Sequence, residues 1–225
     1  MLLRPPPEDI AKFPYPVEIQ LFAKGDRLYP HIYNILIVQS AIAHASKALI
    51  ERPEGWNSEG NAYWLSKVYP KDLIVNVDAP FRHAMHDIEP DHIGIILVEK
   101  GTIKKVDPDG PIVATKAFSG VFQHITEPVF LAFFERYNVW LKKNLGDAEK
   151  WPPTLNFARV IRNAVAHGAI DIRSAKTAAA TWNGLSYSHA DNGRTIIGSD
   201  LGSSDLAGLM FDVDDELNKL GVPIL

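Results

Sequence analysis

The 225-residue chain contains no cysteine. That excludes disulfide staples, thiolate nucleophiles and any zinc site built on sulfur. It also agrees with a cytoplasmic location, which is the expected one. Long apolar runs are missing too. The most apolar stretch, 32–43, is interrupted by Asn34, Gln39 and Ser40. It is too short and too polar to span a bilayer, so no membrane partner is expected. The opening Met1-Leu2-Leu3-Arg4-Pro5-Pro6-Pro7 lacks the basic-then-apolar layout of a signal peptide. There is no excess of positive charge, the formal net charge being −4. This excludes a protein that coats nucleic acid indiscriminately, but not an enzyme that meets RNA at one local site. The sequence has no Walker or dinucleotide-type glycine loop, and Gly-Ser-Asp-Leu-Gly-Ser-Ser at 198–204 matches neither pattern. Gly-x-Ser-x-Gly and His-Glu-x-x-His are absent as well.

Hydrophobic residues make up 46% of the chain, enough to bury one good core. The expected organisation is a single helical domain over 1–225, with an extended N-terminal arm over 1–29 and an insertion over 70–112. Ile32, Ile35, Leu36, Gln39, Ile42 and Ala43 recur at helical spacing and predict a helix over 31–51, ended by Pro53 and Gly55. A shorter helix is predicted over 58–68. In the insertion, Pro70, Pro80, Pro90, Pro108 and Pro111 punctuate two short apolar runs, 93–98 and 102–106, which read as a hairpin around Lys100-Gly101. A long helix over 117–144, bent near Pro128, precedes a turn at Gly146 and Pro152-Pro153. The next helix, 155–167, takes Thr154 as its N-cap and Gly168 as its stop. Asp191-Asn192-Gly193 signals a hairpin between 179–188 and 194–197, and a last helix covers 204–220. The tryptophans at 56, 64, 140, 151 and 182 are scattered and read as packing anchors.

The helix over 155–167 carries the chemistry. Phe157, Val160, Ile161, Ala164, Val165 and Gly168 form one apolar stripe, leaving Arg159, Arg162, Asn163 and His167 on the remaining circumference. Asn163 and His167 lie one turn apart on one face, while Arg162 and His167 are about 140° apart around the axis. An imidazole titrates near neutral pH and suits removal of a ribose 2′-OH proton or protonation of a leaving 5′-oxygen. A guanidinium stays charged and binds the oxygens of a phosphorane-like transition state. Asn163 is placed to hold either the imidazole or the phosphate. The bland alternative is a solvated helix face with no chemistry.

Arg162-Asn163-Ala164-Val165-Ala166-His167 resembles the active-site motif of the HEPN family, an Arg followed after a short spacer by His, often with a polar residue next to the Arg. Four residues separate Arg162 from His167 here. The context is similar over roughly 117–220: a long preceding helix, Gly168, a tryptophan-bearing hairpin at 182–187 and a closing helix. The resemblance implies a mainly α fold, an antiparallel helical bundle with a small β-hairpin after the motif helix and a partly irregular insertion. It implies a metal-independent endoribonuclease, with no cofactor, that leaves a 2′,3′-cyclic phosphate and acts as a toxin or in defence. His167 would be general base or acid, Arg162 would bind the scissile phosphate and Asn163 would orient them. Arg159 and His124 are auxiliary candidates. RNA is the implied partner, together with a second copy of the chain in a homodimer and an antitoxin or regulatory protein. Other members of the family have lost catalysis and bind a partner protein or nucleotide, which is the alternative here.

Local charge points the same way. Between 142 and 176, Lys142, Lys143, Lys150, Arg159, Arg162, Arg173 and Lys176 outnumber Asp147, Glu149 and Asp171. The last helix, with Asp205, Asp212, Asp214, Asp215 and Glu216, is acidic and is not expected to carry RNA. A weaker third reading is a metal hydrolase built on His83, His86 and Asp87, with Asp91 and His92 nearby.

Overall fold

The computed structural model describes residues 2–3, 16–49, 61–76, 84–86, 89–102, 116–172 and 179–225. In chain order the elements are β1 (Leu2–Leu3), β2 (Glu18–Ala23), α1 (Tyr29–Leu49), β3 (Asn61–Trp64), β4 (Lys71–Asn76), β5 (His92–Glu99), α2 (Lys116–Leu145), α3 (Pro153–His167), β6 (Ala180–Trp182), β7 (Leu185–Tyr187) and α4 (Ser203–Lys219). With 51% helix and 19% strand, the fold is mixed α/β and not the mainly α bundle expected from the motif helix. The chain divides into two compact units, one of residues 1–66 and 70–122, the other of 67–69 and 123–225.

The first unit is built on β5. Its apolar residues Ile93, Ile95, Ile96, Leu97 and Val98 are all buried, as in a strand covered on both faces. It pairs antiparallel with β2 and β4 and parallel with β1, and β4 pairs antiparallel with β3. A strand has two edges, and β2 occupies one of them from His92 to Leu97. β4 and β1 therefore share the other, at successive stretches. Ile74, Ile96 and Val98 cluster on one face with Val17, Ile19 and Leu65. Alternation sends Ile93, Ile95 and Leu97 to the opposite face, and α1, which buries Ile32, Ile35 and Leu36, packs against β5. Asp72, on β4, is buried, and its two oxygens accept the N–H groups of Ser66 at 2.8 Å and Gly101 at 2.9 Å. One carboxylate thus ties the segment entering β4 to the one leaving β5, at the same end of their antiparallel pairing.

This sheet overturns several expectations. The predicted helix over 58–68 is in part strand β3, because Asn61–Trp64 finds partners in β4 that no local pattern reveals. The arm over 1–29 supplies β2, whose residues Glu18–Ala23 pair with β5 some seventy positions later. The 93–98 run is a strand as expected, but 103–106, its expected hairpin mate, lies outside the described residues.

The second unit packs aromatic rings around α3. Phe130, Phe133, Phe134, Tyr137 and Leu141 of α2 are buried at helical spacing, and α2 runs unbroken through Pro128. Tyr69, Trp182, Phe157 and Tyr187 stack in sequence, with centroid separations of 6.0, 5.5 and 5.6 Å. Trp182 comes from a hairpin whose turn is Asn183-Gly184, with φ of 44° and 84°. Positive φ at both positions is what a two-residue type I′ turn demands. The predicted turn at Asp191-Asn192-Gly193 instead ends a short 3-10 segment, His189–Asp191. There the Ser188 N–H and the Asp191 carboxylate pair at 2.8 Å.

Two features seat this aromatic stack. Gly208, inside α4, has no Cβ, and one placed there would stand 2.4 Å from the ring of Tyr69. Glycine costs about 1 kcal/mol in a helix relative to alanine, and here it lets the ring lie against the helix backbone. Asp205, in the first turn of α4 and fully buried, accepts the backbone N–H groups of Lys67, Val68, Tyr69 and Gly202 at 2.8–3.1 Å. A buried carboxylate is costly unless so satisfied.

Asp205→Asn replaces an acceptor oxygen with a donor facing other donors. We expect it to lower the unfolding free energy by roughly 2–4 kcal/mol, read by urea denaturation; a loss under about 0.5 kcal/mol would contradict this account. Asp212 accepts the Trp182 indole N–H at 2.7 Å. Burial pushes its carboxyl above the usual aspartate value, and Asp215 and Glu216 add to this, against the indole hydrogen bond and Lys219. A raised folded-state value favours the protonated fold. Its contribution is full below the ordinary aspartate range and is lost as pH rises through the raised value. Asp212→Asn keeps an acceptor for the indole and carries no charge. It should raise the melting temperature at pH 7 and leave it unchanged at pH 3; equal shifts at both pH values would refute the assignment.

Candidate functional site

α3 begins with Pro153 at its first position, where a missing N–H costs nothing and a fixed φ suits the helix. The residue before the helix is Pro152, so Thr154 is not the N-cap that its type suggests. Gly168 ends the helix in the left-handed region at φ 79°, as expected. Leu155, Asn156, Phe157, Ala158, Val160, Ile161 and Ala164 are buried. Val165 is half-buried and Gly168 exposed, so the apolar stripe is shifted toward the start of the helix.

The chain leaving α3 is fastened to the 192–194 turn. The Asn192 side chain accepts the Ile172 N–H at 2.7 Å and donates to the Ile172 carbonyl at 2.9 Å. Ile170 and Gly193–Arg194 exchange backbone bonds of 3.0 and 3.1 Å. The end of the motif helix is therefore anchored on both sides, by its buried stripe and by the segment that follows it.

On the outer side of α3 the structure brings together residues that the motif alone does not unite. The Arg162 guanidinium donates through Nε to Oε1 of Glu135 on α2, and through Nη1 to Oδ1 of Asn163 at 2.9 Å. The other carboxylate oxygen of Glu135 accepts from Asn138 Nδ2 at 3.3 Å. The Arg162 and Glu135 side chains are 28% and 37% exposed, so this is a partly screened pair at the protein surface. Among the described residues, no acceptor meets Nη2 of Arg162.

His167, the last residue of α3, is exposed and has no hydrogen-bond partner among the described residues. Arg162 and His167 are not joined, directly or through Asn163, whose side-chain oxygen turns to Arg162 instead. Arg159 reaches back along its own helix to Asn156 Oδ1, at 2.9 and 3.2 Å. His124 is exposed on α2, eleven positions before Glu135. At 1.5 Å per residue that is roughly 16 Å along the axis, so α2 does not bring His124 to Arg162.

The basic excess over 142–176 is partly neutralised. Lys150 pairs with Asp147 at 3.6 Å, Arg162 pairs with Glu135, and Arg173 and Lys176 lie outside the described residues. Lys142 and Lys143 remain exposed in the last turn of α2. Of the histidine cluster, His83 and Asp87 also lie outside the described residues; among those described, no three ligand-type side chains group around a metal position. No helix of the described residues is long and apolar enough to cross a membrane.

Glu135 and Asn138 are the residues that sequence reasoning missed. Their spacing of three puts them on one helical face, but nothing local connects them to Arg162, 27 positions away from Glu135. No protein-family model, no curated protein and no solved structure matches the chain.

A partly exposed ion pair contributes little to stability. Arg162→Ala is expected to change the unfolding free energy by less than about 1 kcal/mol. A larger loss in urea denaturation would show that Arg162 is chiefly a structural residue.

Proposed function

We propose that the chain is a metal-independent endoribonuclease of the HEPN type, cleaving RNA by attack of a ribose 2′-OH on the adjacent phosphodiester. The observation that supports this best is the restrained guanidinium of Arg162. Two of its nitrogens are tethered, to Glu135 and Asn163, and the third has no partner among the described residues. The helix that carries it ends in an exposed imidazole, His167. In this reading Nη2 of Arg162 donates to a non-bridging oxygen whose charge grows in the transition state. His167 takes the 2′-OH proton or returns one to the 5′-oxygen. The products are a 2′,3′-cyclic phosphate and a 5′-OH. Asn163 orients Arg162 and not the imidazole.

Because one copy does not join Arg162 to His167, a homodimer that lines one cleft with both motifs belongs to this reading. So do a cytoplasmic site of action, a toxin or defence role and an antitoxin or regulatory partner. The second reading is a non-catalytic HEPN-type module that binds a partner protein or nucleotide. It is favoured by the pairing of Arg162 with Glu135, which offsets the charge that a phosphate would seek.

Purified protein incubated with RNA, with and without EDTA, separates the readings. The ribonuclease reading expects cleavage that survives EDTA, leaves 2′,3′-cyclic ends and falls by ~10²–10⁴-fold in Arg162→Ala and in His167→Ala. Intact RNA after incubation with a folded dimer would favour the binding module, and cleavage indifferent to both substitutions would discard the motif as the active site.

A further inference from the structure

We propose, resting on the ribonuclease reading, that Glu135 is a positioning residue that aims Arg162, and that Asn138 in turn holds Glu135. An arginine side chain in water samples many rotamers, and ordering it during the reaction raises the barrier. Here that ordering precedes substrate. Glu135 Oε1 takes the Nε–H from one helix, and Asn163 Oδ1 takes Nη1 at 2.9 Å from the other side. The plane of the guanidinium is set by these two anchors, which leaves Nη2 as the donor presented outward. Glu135 is itself restrained, since its second oxygen accepts from Asn138 Nδ2 at 3.3 Å. Asn138 is 7% exposed, and its Oδ1 is buried without a hydrogen-bond partner among the described residues. A buried amide that leaves its own oxygen unpaired while donating to a carboxylate is an expensive arrangement for packing alone. It is intelligible if holding the carboxylate is what Asn138 does.

The pairing also sets what Arg162 offers. With its charge offset by Glu135, the guanidinium adds little to ground-state attraction for an RNA phosphate. Its directed Nη2–H matters most when charge accumulates on a non-bridging oxygen. The consequence is a contribution read in kcat rather than in KM.

The test measures RNA cleavage by the full chain and by Glu135→Ala, Glu135→Gln and Asn138→Ala. Glu135→Ala is expected to lower kcat by about 100-fold with KM within about threefold, the loss typical of a misplaced reacting group. Glu135→Gln keeps an acceptor for Nε and should recover part of that loss. Asn138→Ala should show a smaller loss of the same kind. Faster cleavage by Glu135→Ala or Glu135→Gln would overturn the proposal, because the carboxylate would then be competing with phosphate for Arg162. A change confined to KM would overturn it as well.

If the wild-type chain cleaves no RNA, the ribonuclease reading fails separately, and positioning is judged from the Arg162 Nε–H resonance by NMR. A slowly exchanging signal that Glu135→Ala abolishes, with binding of inorganic phosphate no weaker than in the wild type, upholds it. A signal indifferent to Glu135 sinks it.

Discussion

The backbone N–H groups of Lys67, Val68, Tyr69 and Gly202 converge on the carboxylate of Asp205, and the organisation of the second unit follows from that convergence. A charge with no exposed surface is tolerated only where hydrogen bonds replace its water. By drawing in three consecutive N–H groups from a distant part of the chain, Asp205 fixes where Tyr69 can be. Gly208, three residues along the same helix, clears the space for its ring. Tyr69 then stacks on Trp182, Trp182 on Phe157, and Phe157 on Tyr187. Phe157 belongs to α3, so the rotation of the helix that presents Arg162 outward is set by a polar contact on the far side of an apolar stack.

That rotation has a chemical consequence. With Phe157, Val160, Ile161 and Ala164 directed inward, Arg162 and Asn163 emerge beside α2, where Glu135 and Asn138 stand on one face. An arginine so placed differs from one projecting into solvent. Its conformational freedom is reduced and its charge is shared with a carboxylate. His167 is left at the exposed end of the helix. The geometry thus separates a tethered guanidinium from an exposed imidazole with no hydrogen-bond partner among the described residues.

Legibility differed between the two units for a physical reason. Helices depend on contacts three and four residues apart, and the patterns around Ile32–Leu36, Phe130–Leu141 and Phe157–Ala164 show in any short window. Strands depend on partners elsewhere. Glu18–Ala23 has no strand signature that outweighs its proline-rich surroundings, and it becomes β2 only because Ile93–Leu97 offers an edge. Asn61–Trp64 likewise becomes a strand by pairing with β4. Of the two expected hairpins, the one at 182–187 lies between strands whose residues Trp182 and Leu185 face each other, while the Asn-Gly signal at 192–193 closes a 3-10 turn.

What the sequence determines by itself is therefore local: the absence of sulfur chemistry, the ends of the long helices, the stop at Gly168, and the presence of Arg162, Asn163 and His167 on one polar helical surface. Tertiary structure alone decided that the fold is mixed α/β, that Asp205 anchors the 67–69 backbone, and that Arg162 meets Glu135 while His167 meets neither. Spacing along a helix sets the angle at which side chains leave the axis. Which carboxylate waits at that angle depends on how a second helix packs beside the first, through contacts that no short window of sequence contains.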